Sequence, residues 1–313
     1  MGRMHANQMN EAGMETVAAC DVDPKRMEAA ATEFPGIRTY TSVESLLKDD
    51  EVDLCVVILP HNLHAETAIA CSKAGKHVVV EKPMCVSTAE ADAMIEACQA
   101  AGTMLSVFHN RRWDGDFMTM RKLIQEKTIG DVFHIEVCMA DFREPGPWWR
   151  SDKEVSGGAM FDWGAHIVDW VQQLVPEPIA GVDGYFHKRR WHNRTNEDHT
   201  ELVIRFESGK TAQIEVSSLA AARKDHWRIL GTEGSIVQPA WEDLEVTVDH
   251  KGHLAKFKVK PGPSTWGAYY ENIAAHLMRA EELAVKPAEA RRTIAIIEAA
   301  ERSSAEKRTA QIG

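Results

Sequence analysis

The sequence predicts an α/β domain with a doubly wound parallel sheet over residues 1–108, followed by an α+β domain with an open, mostly antiparallel sheet and helices over residues 109–313. Three observations carry this. A chain of 313 residues exceeds one ordinary hydrophobic core. From Glu15 to Phe108, short apolar runs alternate with helical stretches, as strand-helix units of a parallel sheet do. After His109 the texture turns to longer alternating segments, which suit antiparallel strands.

In the first half, strands are expected at Thr16–Asp21, near Ile37, and at Asp53–Leu59, His77–Val80 and Thr103–Phe108. Asp23-Pro24 opens a helix, because the carboxylate caps orphan N–H groups and proline suits the first helical position. Gly75 and Gly102 stand where helices end, and Ser87 with Glu90 forms a capping box. In the second half, Val132–Asp141, Glu201–Phe206 and Thr211–Ser217 read as strands, the last two joined by the turn Glu207-Ser208-Gly209-Lys210. Helices are expected at Ala159–Leu174, Ala268–Leu283 and Pro287–Ala305.

Composition narrows the function classes. Hydrophobic residues at 44% and charged residues at 27% describe a folded, globular chain. A net charge of −11 argues against a nucleic-acid backbone or an anionic membrane as partner. The six cysteines form no CxxC pair and no metal-ligand spacing, so no metal is expected. There is no run of about 18 apolar residues and no basic-then-apolar leader, and a cytoplasmic location is expected.

Several segments have the chemistry of a site. A dinucleotide needs a glycine turn at a helix N-terminus and, about 20 positions later, an acidic residue for the adenosine ribose. Gly2 opens Gly2-Arg3-Met4-His5, and Asp21 closes the next strand, although such an aspartate also begins turns without any ligand. The strand and glycines that would lead into Gly2 are missing. That strand would be the central one, and its loss would leave buried backbone groups unpaired at about 1–3 kcal/mol each, so the expectation is an internal start or a truncation. Lys82 in Glu81-Lys82-Pro83 follows a strand at the sheet's carboxyl edge; it is either a donor to a substrate hydroxyl or a surface turn residue. Pro60-His61-Asn62-Leu63-His64 either packs on a ligand or starts a helix. Asp162 and His166 are an i,i+4 pair, either a base with its orienting carboxylate or a cap and a buried histidine. Asn110-Arg111-Arg112 either places a cation near the ligand or closes a salt-bridged junction. Trp148 and Trp149 belong to a tryptophan-rich second half whose indoles suit the C–H faces of a sugar, or the core.

These motifs, in this order, resemble the Gfo/Idh/MocA (glucose-fructose oxidoreductase/inositol dehydrogenase) family over essentially the whole chain. The matching stretches are Gly2 to His5, Asp21, Pro60 to His64, Ala74 to Pro83, and the Gly-Gly-x-x-x-Asp-x-Gly-x-His pattern at Gly157 to His166. The resemblance implies a Rossmann-type NAD(P)-binding domain and a substrate-binding and oligomerisation domain. It further implies a catalytic group of Lys82, Asp162 and His166. His166 would take the hydroxyl proton as hydride leaves for the nicotinamide, Lys82 would bond the same oxygen, and Asp162 would orient the substrate and the histidine. Gly2, Arg3, Met4, Asp21, Arg26, Pro60, Asn62, His64, Glu81 and Lys82 would line the cofactor. Asn110, Arg111, Trp148, Trp149, Asp162 and His166 would line the substrate. Asp21 favours NAD over NADP, since a carboxylate repels a 2′-phosphate, while Lys25 and Arg26 keep NADP possible.

The expected activity is thus an NAD(P)-dependent sugar or polyol dehydrogenase. Two alternatives stay open: an NAD-dependent glycosidase working by transient oxidation, and a non-catalytic ligand sensor, against which Lys82 and His166 argue. A homodimer or homotetramer formed through the half-solvated sheet is expected by analogy.

Overall fold

The computed structural model describes residues 1–312, which divide into two compact units. The first unit holds Met1–Cys85, Ala89–Phe108 and Gly267–Ala290. Its parallel strands fall into two sheets. Strand β1 (Ala18–Cys20) pairs with β2 (Arg38–Tyr40), while β3 (Leu54–Val57), β4 (His77–Val80) and β5 (Leu105–Val107) lie side by side in that order. Val78, Val79 and Val80 are fully buried, as a strand covered on both faces requires. The helices Gly2–Glu11, Pro24–Glu33, His64–Lys73, Thr88–Ala101 and Ala268–Arg279 accompany these strands. The Asp23 side chain accepts from the Lys25 N–H at 3.0 Å with Pro24 in the first turn, so that helix starts as expected.

The second unit holds Val86–Thr88, His109–Trp266 and residues 291–312 of the described chain. An eight-stranded sheet runs in the order β13-β12-β11-β10-β6-β9-β8-β7. Its strands are β6 (Val132–Ala140), β7 (Ile179–His187), β8 (His199–Phe206), β9 (Thr211–Ser217), β10 (Trp227–Gly231), β11 (Gly234–Gln238), β12 (Leu244–His250) and β13 (His253–Val259). All neighbours are antiparallel except β6 and β9. Ile135, Val137, Leu202, Ile204, Ile214 and Ile229 bury one face. Helix Pro287–Glu306 presses on that side, where a Cβ on Gly184 would stand 2.0 Å from the Ala300 carbonyl oxygen. The opposite face is polar, with Arg228 paired to Glu136 and the Gln213 amide donating to Glu201 at 2.8 Å.

Three expectations change in detail. Strands β1, β3 and β5 are shorter than the runs Thr16–Asp21, Asp53–Leu59 and Thr103–Phe108, whereas His77–Val80 and Thr211–Ser217 keep their expected bounds and β8 begins two residues earlier. Helix Ala268–Arg279 stops early, because Ala280 adopts a left-handed backbone at φ 55°. The expected helix at 159–174 begins as a π turn, Met160–Gly164, before Ala165–Leu174. A Cβ on Gly164 would sit 2.1 Å from the Met160 sulfur, so the methionine side chain lies over this glycine in the π turn.

The units also depart from a single cut after residue 108. Ser106 in β5 is fully buried, and its hydroxyl finds partners in Gly267–Ala290: it donates to the Val285 carbonyl and accepts from the Tyr269 hydroxyl, each at 3.0 Å. Tyr269 and Tyr270 also pack on Phe108, with ring centroids 4.8 and 5.6 Å away. A buried hydroxyl and an aromatic cluster therefore draw this late segment back to the first unit.

Candidate active site

Lys82 follows β4 directly, at the carboxyl end of the three-stranded parallel sheet. Its neighbour Glu81 is only 8% exposed. One Glu81 oxygen accepts from the Lys82 backbone N–H at 2.9 Å, and the other meets His5 Nε2 at 3.1 Å. His5 Nδ1 lies 2.6 Å from the Tyr270 hydroxyl. Burial pushes the Glu81 carboxyl up, but the His5 bond and the charge of Lys82 hold it below its ordinary value. His64, wholly buried, spans two turns: Nδ1 meets the Pro83 carbonyl at 2.8 Å and Nε2 the Leu59 carbonyl at 2.9 Å. Glu81 and His64 are thus engaged by the protein itself, while Asn62 and Gly2 are exposed. Asp21, at the end of β1, accepts from the Asp23 N–H and from Arg26 Nη1, each at 2.9 Å. Exposed Arg3 pairs with Glu33 at 2.5 Å, and Met4 and Pro60 are half-buried.

In the second unit the π turn carries Asp162 and helix Ala165–Leu174 carries His166. Asp162 Oδ1 accepts from Arg150 Nη1 at 3.0 Å. The Arg150 guanidinium lies 4.5 Å over Trp149 and 5.4 Å from Trp148, so the two expected substrate-binding indoles hold the cation that meets Asp162. The Arg150 carbonyl accepts from the Asn196 amide at 2.7 Å, which fixes the loop. His166 is 5% exposed and sits among aromatic rings, with Trp163 at 5.9 Å and Trp170 stacked at 6.4 Å. Asn110 is buried. Arg111 donates to Asp114 at 2.9 Å and lies 4.6 Å over Trp163. Arg112 forks onto Asp169 with bonds of 2.8 and 2.6 Å, both residues being buried. Burial pushes the Asp169 carboxyl up, but His109 and Arg112 together hold it down. Both arginines thus form ion pairs inside the second unit.

Comparison with known proteins decides the family. Residues 1–109 match the oxidoreductase family with an NAD-binding Rossmann fold, and residues 117–237 match the GFO/IDH/MocA C-terminal domain. The chain is 30% identical to scyllo-inositol 2-dehydrogenase (NADP(+)) IolW of Bacillus subtilis, over 91% of this chain and 86% of that protein. The chain belongs to the GFO/IDH/MocA oxidoreductase family. A second relative, myo-inositol 2-dehydrogenase of Thermotoga maritima, is 29% identical over 75% of this chain and 71% of its own. The crystal structure of an NAD-binding protein from Listeria innocua superposes with a TM-score of 0.88 at 29% identity, covering 99% of this chain and 94% of that one. The resemblance read from the motifs is borne out, and so is the fold class.

As a GFO/IDH/MocA member the chain calls for a nicotinamide dinucleotide, and the residues present fit one. The first helix opens at Gly2, and a helix N-terminus suits a phosphate. The Asp21 carboxylate stands partly exposed at the carboxyl end of β1. Among the described residues no group of three or more metal-ligating side chains and no helix able to cross a membrane is found. Partnerships that the sequence reading did not name include Arg150 with Asp162, Arg112 with Asp169 and Tyr270 with His5. Each joins segments whose spacing carries no periodic signal.

Proposed function

We propose that the chain transfers a hydride between a ring CH–OH of a sugar, glycoside or cyclic polyol and a nicotinamide cofactor. The observation that carries this reading is the near full-length similarity to a scyllo-inositol dehydrogenase, joined to Lys82 and His166 at their motif positions. When bound, the cofactor supplies the hydride acceptor. His166 takes the hydroxyl proton, Lys82 donates a hydrogen bond to the same oxygen, and Asp162 orients the hydroxyl and the imidazole. Gly2, Arg3, Met4, Pro60 and Asn62 approach the dinucleotide, and Asn110, Arg111, Trp148 and Trp149 border the substrate.

NAD is the favoured cofactor because Asp21 repels a 2′-phosphate. The Arg26 paired with it is the cation that would let NADP compete. We further infer a cytoplasmic homodimer or homotetramer, built on the polar outer face of the eight-stranded sheet. The test is tryptophan-to-nicotinamide energy transfer titrated with NADH and NADPH, followed by turnover of inositols and sugars. Saturable NADH binding that Asp21→Arg shifts toward NADPH, with turnover abolished but binding kept in Lys82→Ala, is expected. Binding of neither nucleotide sinks the reading.

A further inference from the structure

We propose that His5 and Tyr270 are positioning residues for Lys82, acting through the Glu81 carboxylate. The inference rests on the reading of Lys82 as catalytic. The connection is continuous: Tyr270 hydroxyl to His5 Nδ1 at 2.6 Å, His5 Nε2 to Glu81 at 3.1 Å, and Glu81 to the Lys82 N–H at 2.9 Å. All three supporting side chains are buried, at 1% exposure for His5, 8% for Glu81 and none for Tyr270.

The chemistry gives the chain of bonds one direction. Glu81 is held as a carboxylate, so both its oxygens accept and His5 Nε2 is the donor. In the neutral tautomer that carries that proton, Nδ1 is an acceptor. The Tyr270 hydroxyl, which burial, then Tyr269 and Glu81, push well above its ordinary value, keeps its proton and donates it there. Phe108, 4.4 Å from the imidazole, closes its side. With each oxygen bonded, the carboxylate has no free rotamer, and the peptide that roots the Lys82 amine is fixed. The three residues come from the first helix, the end of β4 and helix Ala268–Arg279, so the position of one amine depends on three separate segments of the first unit.

The test uses the full chain with Tyr270→Phe and Glu81→Gln, the former keeping the buried ring in place should the latter fail to fold. Acetic anhydride labelling of Lys82 is followed peptide by peptide in the mass spectrometer, with exposed Lys48 as internal reference. Labelling of Lys82 relative to Lys48 should change by about threefold or more in Glu81→Gln, and less, in the same sense, in Tyr270→Phe. With scyllo-inositol as probe, kcat should fall about tenfold in Glu81→Gln and less in Tyr270→Phe, and in Tyr270→Phe KM and the NADH dissociation constant should stay within about twofold. A lower melting temperature with unchanged labelling and unchanged kcat overturns the proposal, because that is the signature of a purely structural network. Should the wild type turn over no polyol, labelling alone decides. A changed rate then supports the network while the substrate reading fails, and an unchanged rate removes the network too.

Discussion

In the first unit the carboxylate next to Lys82 is 8% exposed and bonded on both oxygens, whereas in the second the Asp162 side chain is 34% exposed and meets Arg150 from a loop. The first arrangement stands on buried hydrogen bonds, which cost little while complete and much once a partner is lost. The second stands on a half-exposed ion pair steadied by indole faces, open to water and screened by salt. One carboxylate belongs to the framework of its unit, and the other keeps the freedom to exchange partners. Arg112 and Asp169 show that the second unit also contains a buried pair, one helical stretch away from His166.

The largest effect should come from that buried pair. Arg112→Met takes the guanidinium from buried Asp169 and leaves the His109 ring 3.9 Å away; it should cost about 3–5 kcal/mol in urea unfolding at constant m, with Asp169→Leu added on top restoring most of it. A loss of under about 1 kcal/mol would mean that the second unit tolerates broken buried polar contacts, and the contrast would need redrawing.

A middle-sized effect concerns pH. Burial pushes the His64 ring below its ordinary value, although the Pro83 and Leu59 carbonyls pull it up. The unfolded chain therefore takes up a proton near pH 6.5 that the folded ring declines, so this group's share of stability is whole above about pH 6.5 and drains away as the pH falls. Melting temperatures between pH 7.5 and 5 should decline less steeply in His64→Asn than in the wild type. Parallel slopes would remove His64 from the explanation. His226 in the second unit is lowered in the same way, burial leading, and His226→Asn gives the matching measurement there.

The smallest change in stability is expected for Arg150→Ala, about 1 kcal/mol or less, and 1 M salt should shrink the difference further. A loss above about 2 kcal/mol, insensitive to salt, would show that the Asp162 pair is as much framework as the Glu81 network.

Much of the fold could be read from local pattern. The run His77 to Val80 and the motif Glu81-Lys82-Pro83 located the strand and the lysine, and the hairpin of β8 and β9 followed from its turn residues. Strands β10 to β13 went unanticipated, although Gly231-Thr232-Glu233-Gly234 and Lys251-Gly252, the latter pair at positive φ, mark their turns. Strand β13 is exposed along most of its length, so it lacks the alternation that betrays a half-buried strand. Site residues were legible where identity and spacing sufficed, as for Asp162 and His166. Their surroundings were not, because the bond between His5 and Tyr270 links positions 265 apart in sequence and only folding brings them together.

The return of Gly267–Ala290 to the first unit bears on how this protein can be taken apart. The first matched region ends at residue 109, which invites a genetic cut at that point. Such a fragment would keep every strand of the first unit yet lose the hydroxyl that bonds Ser106, the two tyrosine rings on Phe108, and the far end of the Tyr270–His5 link. The boundary of homology is therefore not a boundary of folding autonomy. A shuffled or transplanted cofactor domain would need its late helix supplied, in cis or as a separate peptide, before its lysine could be set in place.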